Sequence, residues 1–175
     1  LPESIMHRFF ALGLLATAVL APTTFAQSDD TPGVTPKRGD ATLNLDFERG
    51  TLEDWRASGD AFENQPIRGD TVVRRRADMR SQHHGEYWIG TCERAGDAPQ
   101  GTLTSASFEI THPFASFLVA GGSHPSTRVE IVLEETQKPI YMTSGDNRED
   151  LTRVAVDLRK HLGKKAFLRL VDEHS

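Results

Sequence analysis

Apolar side chains along this chain recur in short alternating runs separated by turn-forming residues, the pattern of β-strands rather than helices. The runs are Leu43–Phe47, Tyr87–Thr91, Leu103–Thr111, Phe114–Val119, Arg128–Leu133, Ile140–Thr143, Arg153–Leu158 and Ala166–Val171. They are enriched in β-branched and aromatic residues, and no long helical pattern stands between them. An all-β domain follows. Val129, Ile131 and Leu133, and likewise Val154, Val156 and Leu158, alternate with largely polar neighbours, so both triplets are expected to face a core. Residues 56–82 carry few apolar side chains and include Gly59, Pro66, Gly69 and the basic run Arg74-Arg75-Arg76, which predicts a long surface connection. Between the last two strands, Asp157–Lys164 is expected to make one helical turn ended by Gly163.

One apolar run is of another kind. Met6-His7-Arg8, then Phe9 to Leu20, then the small-residue exit Thr24-Phe25-Ala26 form the arrangement of a secretory signal. Pro22 cuts the run short of the roughly 20 residues that a membrane span requires. Residues 1–26 are therefore expected to direct export to the periplasm or the extracellular space, with translation starting at Met6 and no transmembrane anchor. Residues 27–41, with Pro32, Gly33 and Pro36, read as a flexible lead-in, and 42–175 as the folded domain. Lys and Arg number 20 against 25 Asp and Glu, a net charge of -5, which supplies no electrostatic footprint for nucleic acid. Cys92 stands alone, so packing must replace disulfides, and its expected role is a small buried apolar residue. No Cys-x-x-Cys-His is present to attach a c-type haem within the chain.

Candidate chemistry is sparse. His83-His84 beside Glu86 lacks metal-ligand spacing, because neighbours on a strand point to opposite faces. Ser123, His124 and Asp172 hold the residue types of a hydrolytic triad, but no Gly-x-Ser-x-Gly elbow presents a serine. No acid sits isolated in an apolar strand, as a raised-pKa carboxyl for glycoside hydrolysis would. The residues alone thus lead to the expectation that the chain is not an enzyme. Gly121-Gly122-Ser123-His124-Pro125 is either a plain turn or a loop holding a hydroxyl-rich or anionic ligand against backbone N–H groups. Asp46-Phe47-Glu48 is either a solvated strand end or a source of oxygen ligands for one structural calcium ion.

Read in order, Asn44-Leu45-Asp46-Phe47-Glu48, Asp54-Trp55, Tyr87-Trp88-Ile89-Gly90, Gly101-Thr102-Leu103-Thr104-Ser105, Gly121-Gly122-x-His124-Pro125 and Arg128-Val129 resemble one module. It is the β-sandwich found beside the catalytic domain of levanase and invertase-like glycoside hydrolases and inserted in planctomycete-type cytochrome c proteins. The resemblance covers about residues 43–172 and implies a galactose-binding-like jelly roll. It further implies a non-catalytic, exported module that binds a carbohydrate or cell-surface polymer as part of a larger parent protein. On that reading the ligand contacts fall at Trp88, Gly121, Gly122, His124 and Arg128, and a calcium ion at Asp46 and Glu48. The alternative is a structural or protein-interaction spacer packed against other domains of the parent. The module's pattern continues past Asp172 with one more strand, so the sandwich is expected to lack its C-terminal strand, leaving Leu43–Phe47 as an unpaired edge.

Overall fold

A computed structural model of the chain describes residues 9–11, 33–75 and 77–174. Most of the expected export signal and the start of the lead-in lie outside the described residues. Thirteen strands are described. The N-terminal part holds β1 (Phe9–Ala11), β2 (Lys37–Arg38), β3 (Ala41–Thr42), β4 (Trp55–Gly59), β5 (Ile67–Arg68) and β6 (Tyr87–Trp88). There follow α1 (Cys92–Ala95), β7 (Gly101–Ser105), β8 (Phe108–Glu109), β9 (Phe114–Gly121) and β10 (Thr127–Leu133). The chain continues through β11 (Pro139–Thr143), β12 (Arg148–Asp157) and β13 (Lys165–Asp172).

The domain is all-β, as the alternating runs predict, and its two main antiparallel sheets form a sandwich, as the resemblance implies. The larger has the order β11-β10-β13-β7-β4, with β8 also pairing β13; the smaller has the order β1-β9-β12. Period-two alternation sends Leu103, Val129, Ile131, Leu168 and Leu170 of the larger sheet against Ala115, Phe117, Val119 and Val156 of the smaller one. Both expected triplets reach this core, Val154 as a partly buried member. The expected connector is a short 3-10 turn, Arg159–His161, followed by Gly163 at φ 75°.

β13 is central rather than peripheral. One side pairs β10 along its whole length; the other is shared by β7, opposite Arg169–Asp172, and β8, opposite Lys165 and Ala166. Where β7 leaves and β8 has not yet joined, the Leu168 N–H donates to Ser105 Oγ at 2.9 Å, and the hydroxyl donates onward to the Ala106 carbonyl at 2.9 Å. A side chain therefore supplies the acceptor that the interrupted ladder lacks, where an unmade bond would leave a buried N–H without a partner.

Two expectations are corrected. Leu43–Phe47 is buried but is no strand, because Phe47 has φ 65° and the backbone folds onto local partners. Asn44 is the hub. Its N–H donates to Asp54 Oδ2 at 2.9 Å, its Nδ2 to the Thr51 carbonyl at 2.8 Å, and its carbonyl accepts the Trp55 indole N–H at 2.7 Å. The Trp55 ring then stacks on Phe47 at 4.8 Å. Leu43–Phe47 is thus tied into the fold without a strand partner. Residues 56–82 are likewise no bare surface connection. Trp55–Gly59 is a sheet edge, and Ile67, Val72, Met79 and Trp88 close a second small core over Ala120 and Leu151, on the outer face of the smaller sheet.

The Ser105 substitution for a ladder bond yields a test. Ser105→Ala leaves the Leu168 N–H without its acceptor in a fully buried stretch, and should lower unfolding free energy by about 1–3 kcal/mol. Urea denaturation of the two proteins side by side measures it; an unchanged midpoint would mean that the hydroxyl is dispensable.

Candidate functional site

The loop Gly121–Pro125 and the strand ends around it occupy one end of the sandwich. Gly121 has φ 94°, and its carbonyl accepts the Asn147 N–H at 2.8 Å. The Ser123 N–H, which the ligand-loop reading left for an anion, already donates to Asn147 Oδ1 at 2.8 Å. Gly121 and Gly122 are buried, while Ser123, His124 and Pro125 are exposed. His124 Nδ1 accepts the Ser126 N–H at 3.2 Å, and its ring meets that of His174 edge to face at 4.0 Å.

Arg128 and Trp88 are held in the framework. Arg128 Nε donates to Glu130 Oε1 at 2.6 Å and its NH1 to the Pro125 carbonyl at 2.9 Å. Glu130, 1% exposed in mid-strand, is gripped from the other side by Arg169 Nε at 2.7 Å. Two guanidinium groups thus satisfy one buried carboxylate, which would otherwise be strongly unfavourable in that position. Trp88 is fully buried, its indole N–H donates to the Gly69 carbonyl at 2.9 Å, and His83 stacks on it at 5.8 Å. A ring so enclosed offers no face to a ligand.

Asp46 and Glu48 both accept backbone N–H groups. Both Glu48 oxygens accept the Glu86 N–H, at 3.1 and 2.9 Å, and Oε1 also accepts that of Tyr87 at 3.1 Å; Asp46 Oδ1 accepts the Glu48 N–H at 3.2 Å. Calcium takes six to eight oxygens. Among the described residues no group of three or more His, Cys, Asp or Glu side chains is placed to hold a metal.

The opposite end of the sandwich is open. A cleft of about 930 Å³ runs between the Val34–Gly39 segment and the β7–β8 crossing, and reaches the space between the sheets. Its floor is core side chains: Phe108, Ile110, Ala115, Ile131, Leu158 and Leu168. Its polar lining includes Lys37, Arg38, Glu109, His112, Glu134 and Lys165. A concave apolar floor with a few polar groups around it is the usual form of a small-molecule or oligomer site. Phe114, also in the lining, is 41% exposed, and the Arg159 guanidinium lies 5.5 Å from its ring centre. Arg159 is fixed there by Asp157, with contacts of 3.0 Å from Nε to both carboxylate oxygens and 2.6 Å from NH2 to Oδ2. Those hydrogen bonds pull the Asp157 carboxyl down to about 2, so it stays ionised and serves as an anchor rather than as a proton donor. Sequence reasoning passed over this end. The signal was parity: with Ala115, Phe117 and Val119 facing inward, Phe114 must share the outward face of Ser116.

No family model matches the chain, and no solved structure matches it at a significant level. A curated protein does: the "Putative glycosyl hydrolase ecdE" of Aspergillus rugulosus is 30% identical over 156 residues, 87% of this chain. The chain spans 22% of that protein's length. An all-β sandwich similar to part of a protein so named fits a glycoside-hydrolase-type module. The same match corrects the expectation that the chain is not an enzyme. That expectation rested on catalytic motifs missing from the sequence, whereas the relative's name points to hydrolysis. Glu109 and Glu134, far apart in sequence, line one cleft, a juxtaposition that no local motif announces.

Cys92 is half-buried beside Asp97. Burial, and next Asp97 beside it, push its thiol up to about 12, so at pH 8 only about one molecule in ten thousand carries the thiolate. Labelling of the folded chain by a disulfide reagent at pH 8 should be at least about a hundredfold slower than in denaturant. Equal rates would show an open, reactive thiol.

Proposed function

We propose that this chain is the β-sandwich part of an exported, carbohydrate-acting glycosyl hydrolase, and that it takes a segment of glycan in the cleft beside Phe114. The observation that carries this reading is the cleft itself, joined to an exposed aromatic ring with a fixed guanidinium on it. A sugar presents an apolar face of C–H groups and a rim of hydroxyls, which calls for a ring to stack on and directional polar groups around it. Phe114 supplies the ring, and Glu109, Glu134 and Lys165 the directional groups. The galactose-binding-like jelly roll belongs to the same proposal. Hydrolysis of a glycosidic bond employs two carboxyl groups flanking it, and Glu109 and Glu134 are the pair through which any turnover in this cleft would run. The Gly121–Pro125 loop is a poorer place for the ligand, because the Ser123 N–H and the Arg128 guanidinium are already engaged.

A second reading has its own support. Val34, Phe114 and Leu162 are exposed large apolar side chains, and the first two line the cleft, so this end also suits packing against another domain of the parent.

Affinity electrophoresis against a panel of soluble polysaccharides, with reducing-end release measured in parallel, tests the proposal. Retardation of the chain, with affinity lowered about tenfold by Phe114→Ala, is the expected result, since a lost stacking contact is worth up to about 1.4 kcal/mol. Should turnover accompany binding, Glu109→Gln or Glu134→Gln should abolish it while retardation persists, weakened by less than Phe114→Ala weakens it. Uniform non-binding by a chain that melts cooperatively would overturn the glycan reading in favour of the domain contact.

A further inference from the structure

The charge around the cleft differs from that of the chain as a whole. The protein carries -5, yet the segment 159–165 holds Arg159, Lys160, Lys164 and Lys165 and no carboxylate. Lys165 stands in one wall of the cleft and Lys37 and Arg38 in another. A shallower hollow continues the same surface past Glu134, Glu135, Lys164 and Lys165. Among the described residues Lys37, Lys164 and Lys165 make no ion pair, and all three are exposed. Two carboxylates share the cleft: Glu134, whose Oε1 accepts the Ser107 hydroxyl at 2.8 Å, and Glu109, which lies across the ladder from Lys165 with no ion pair between the two side chains. Arg38 and Arg159 already face Asp54 and Asp157, which leaves the lysine ammonium groups as the cations available to a ligand. Cations on two sides of a low-dielectric floor concentrate their field within the cleft and favour an anion there.

We infer that the cleft takes an acidic glycan, a polysaccharide bearing carboxylate or sulfate groups, lying between Lys37 on one wall and Lys165 on the other and running on to Lys164 in the adjoining hollow. The inference rests on the glycan reading above and narrows it to a substrate class. The sugar ring packs on Phe114 while the acid groups meet ammonium groups that no protein carboxylate holds. Lysine suits this role, since it offers a compact charge on a mobile stem to acid groups whose spacing varies along a polymer.

Paired polymers provide the test: polygalacturonate against the same polymer with its carboxyl groups reduced to alcohols, with polyglutamate as a polyanion that is no sugar. Affinity electrophoresis of the full chain should show polygalacturonate bound at least about fivefold more tightly than the reduced polymer, with the difference shrinking as salt rises from about 50 to about 500 mM. Lys164→Gln with Lys165→Gln should erase that preference and keep the residual affinity for the reduced polymer. Both lysines are exposed, so unaltered melting is expected and is to be verified for the double variant. Equal, salt-insensitive binding of the two polymers would overturn the acidic assignment and leave the glycan reading standing. Binding of neither would overturn both. Equal binding of polyglutamate would show a site for polyanions in general and sink the assignment to a sugar.

Discussion

The hydrogen bond from the Leu168 N–H to Ser105 Oγ carries the larger sheet across the break between β7 and β8. β13 needs an acceptor on both sides along its length, since it runs through the middle of the larger sheet with Leu168 and Leu170 at the base of the core. β7 and β8 cannot supply one at the point where the chain crosses between them. The Ser105 side chain fills the gap, and the chain then steps outward through Ala106 and Ser107 before pairing again as β8. That step forms one wall of the cleft. Continuity of the sheet and the opening beside it therefore share one cause.

A comparable economy operates at the start of the domain. Asn44 and Asp54 replace the ladder that a first strand would have offered, and Trp55 reads the Asn44 carbonyl while stacking on Phe47. Phe47 at φ 65° and Asp54 at φ 67° show why this segment cannot extend: left-handed backbone at two non-glycine positions redirects the chain. The unfavourable torsions are held because several side-chain hydrogen bonds and a buried aromatic pair depend on them together. The Asp-Phe-Glu and Asp-Trp signatures are thus explained by architecture. Glu48 belongs to the same scheme, bridging to the backbone of Glu86 and Tyr87, where Gly85 makes room for it.

The strands were legible wherever one face is buried and the other wet, because alternation is then imposed by the pleat; β9, β10 and β13 lie where the runs place them, and β12 begins five residues ahead of its run. Leu43–Phe47 misled because a β-like run of apolar residues records burial, and burial is achieved here without a ladder. Residues 56–82 misled in the opposite sense. Their few apolar side chains are spread among charges, yet Ile67, Val72 and Met79 converge with Trp88 once the chain folds back over the smaller sheet. Site residues were the least legible. Glycines and a histidine near a strand end attract notice in a sequence, but the structure shows their polar groups engaged within the protein, and the cleft is assembled from segments as distant as Lys37, Glu109 and Lys165. No spacing rule connects such positions; only the topology does.

The two ends of the sandwich are consequently unlike. Near Gly121 the outer face of the smaller sheet is covered by the second core, in which Trp88 seals Ala120 and Leu151. Near Phe114 that cover has ended, so an aromatic ring stays in solvent beside an opening to the core. A closed end tolerates glycines and tight turns because its polar groups are internally matched. An open end must leave apolar area and charge unmatched, and such surface is maintained against aggregation and instability only where something else uses it. The end carrying Phe114, Lys37, Lys164 and Lys165 is therefore where apolar area and charge stay unmatched within the described residues.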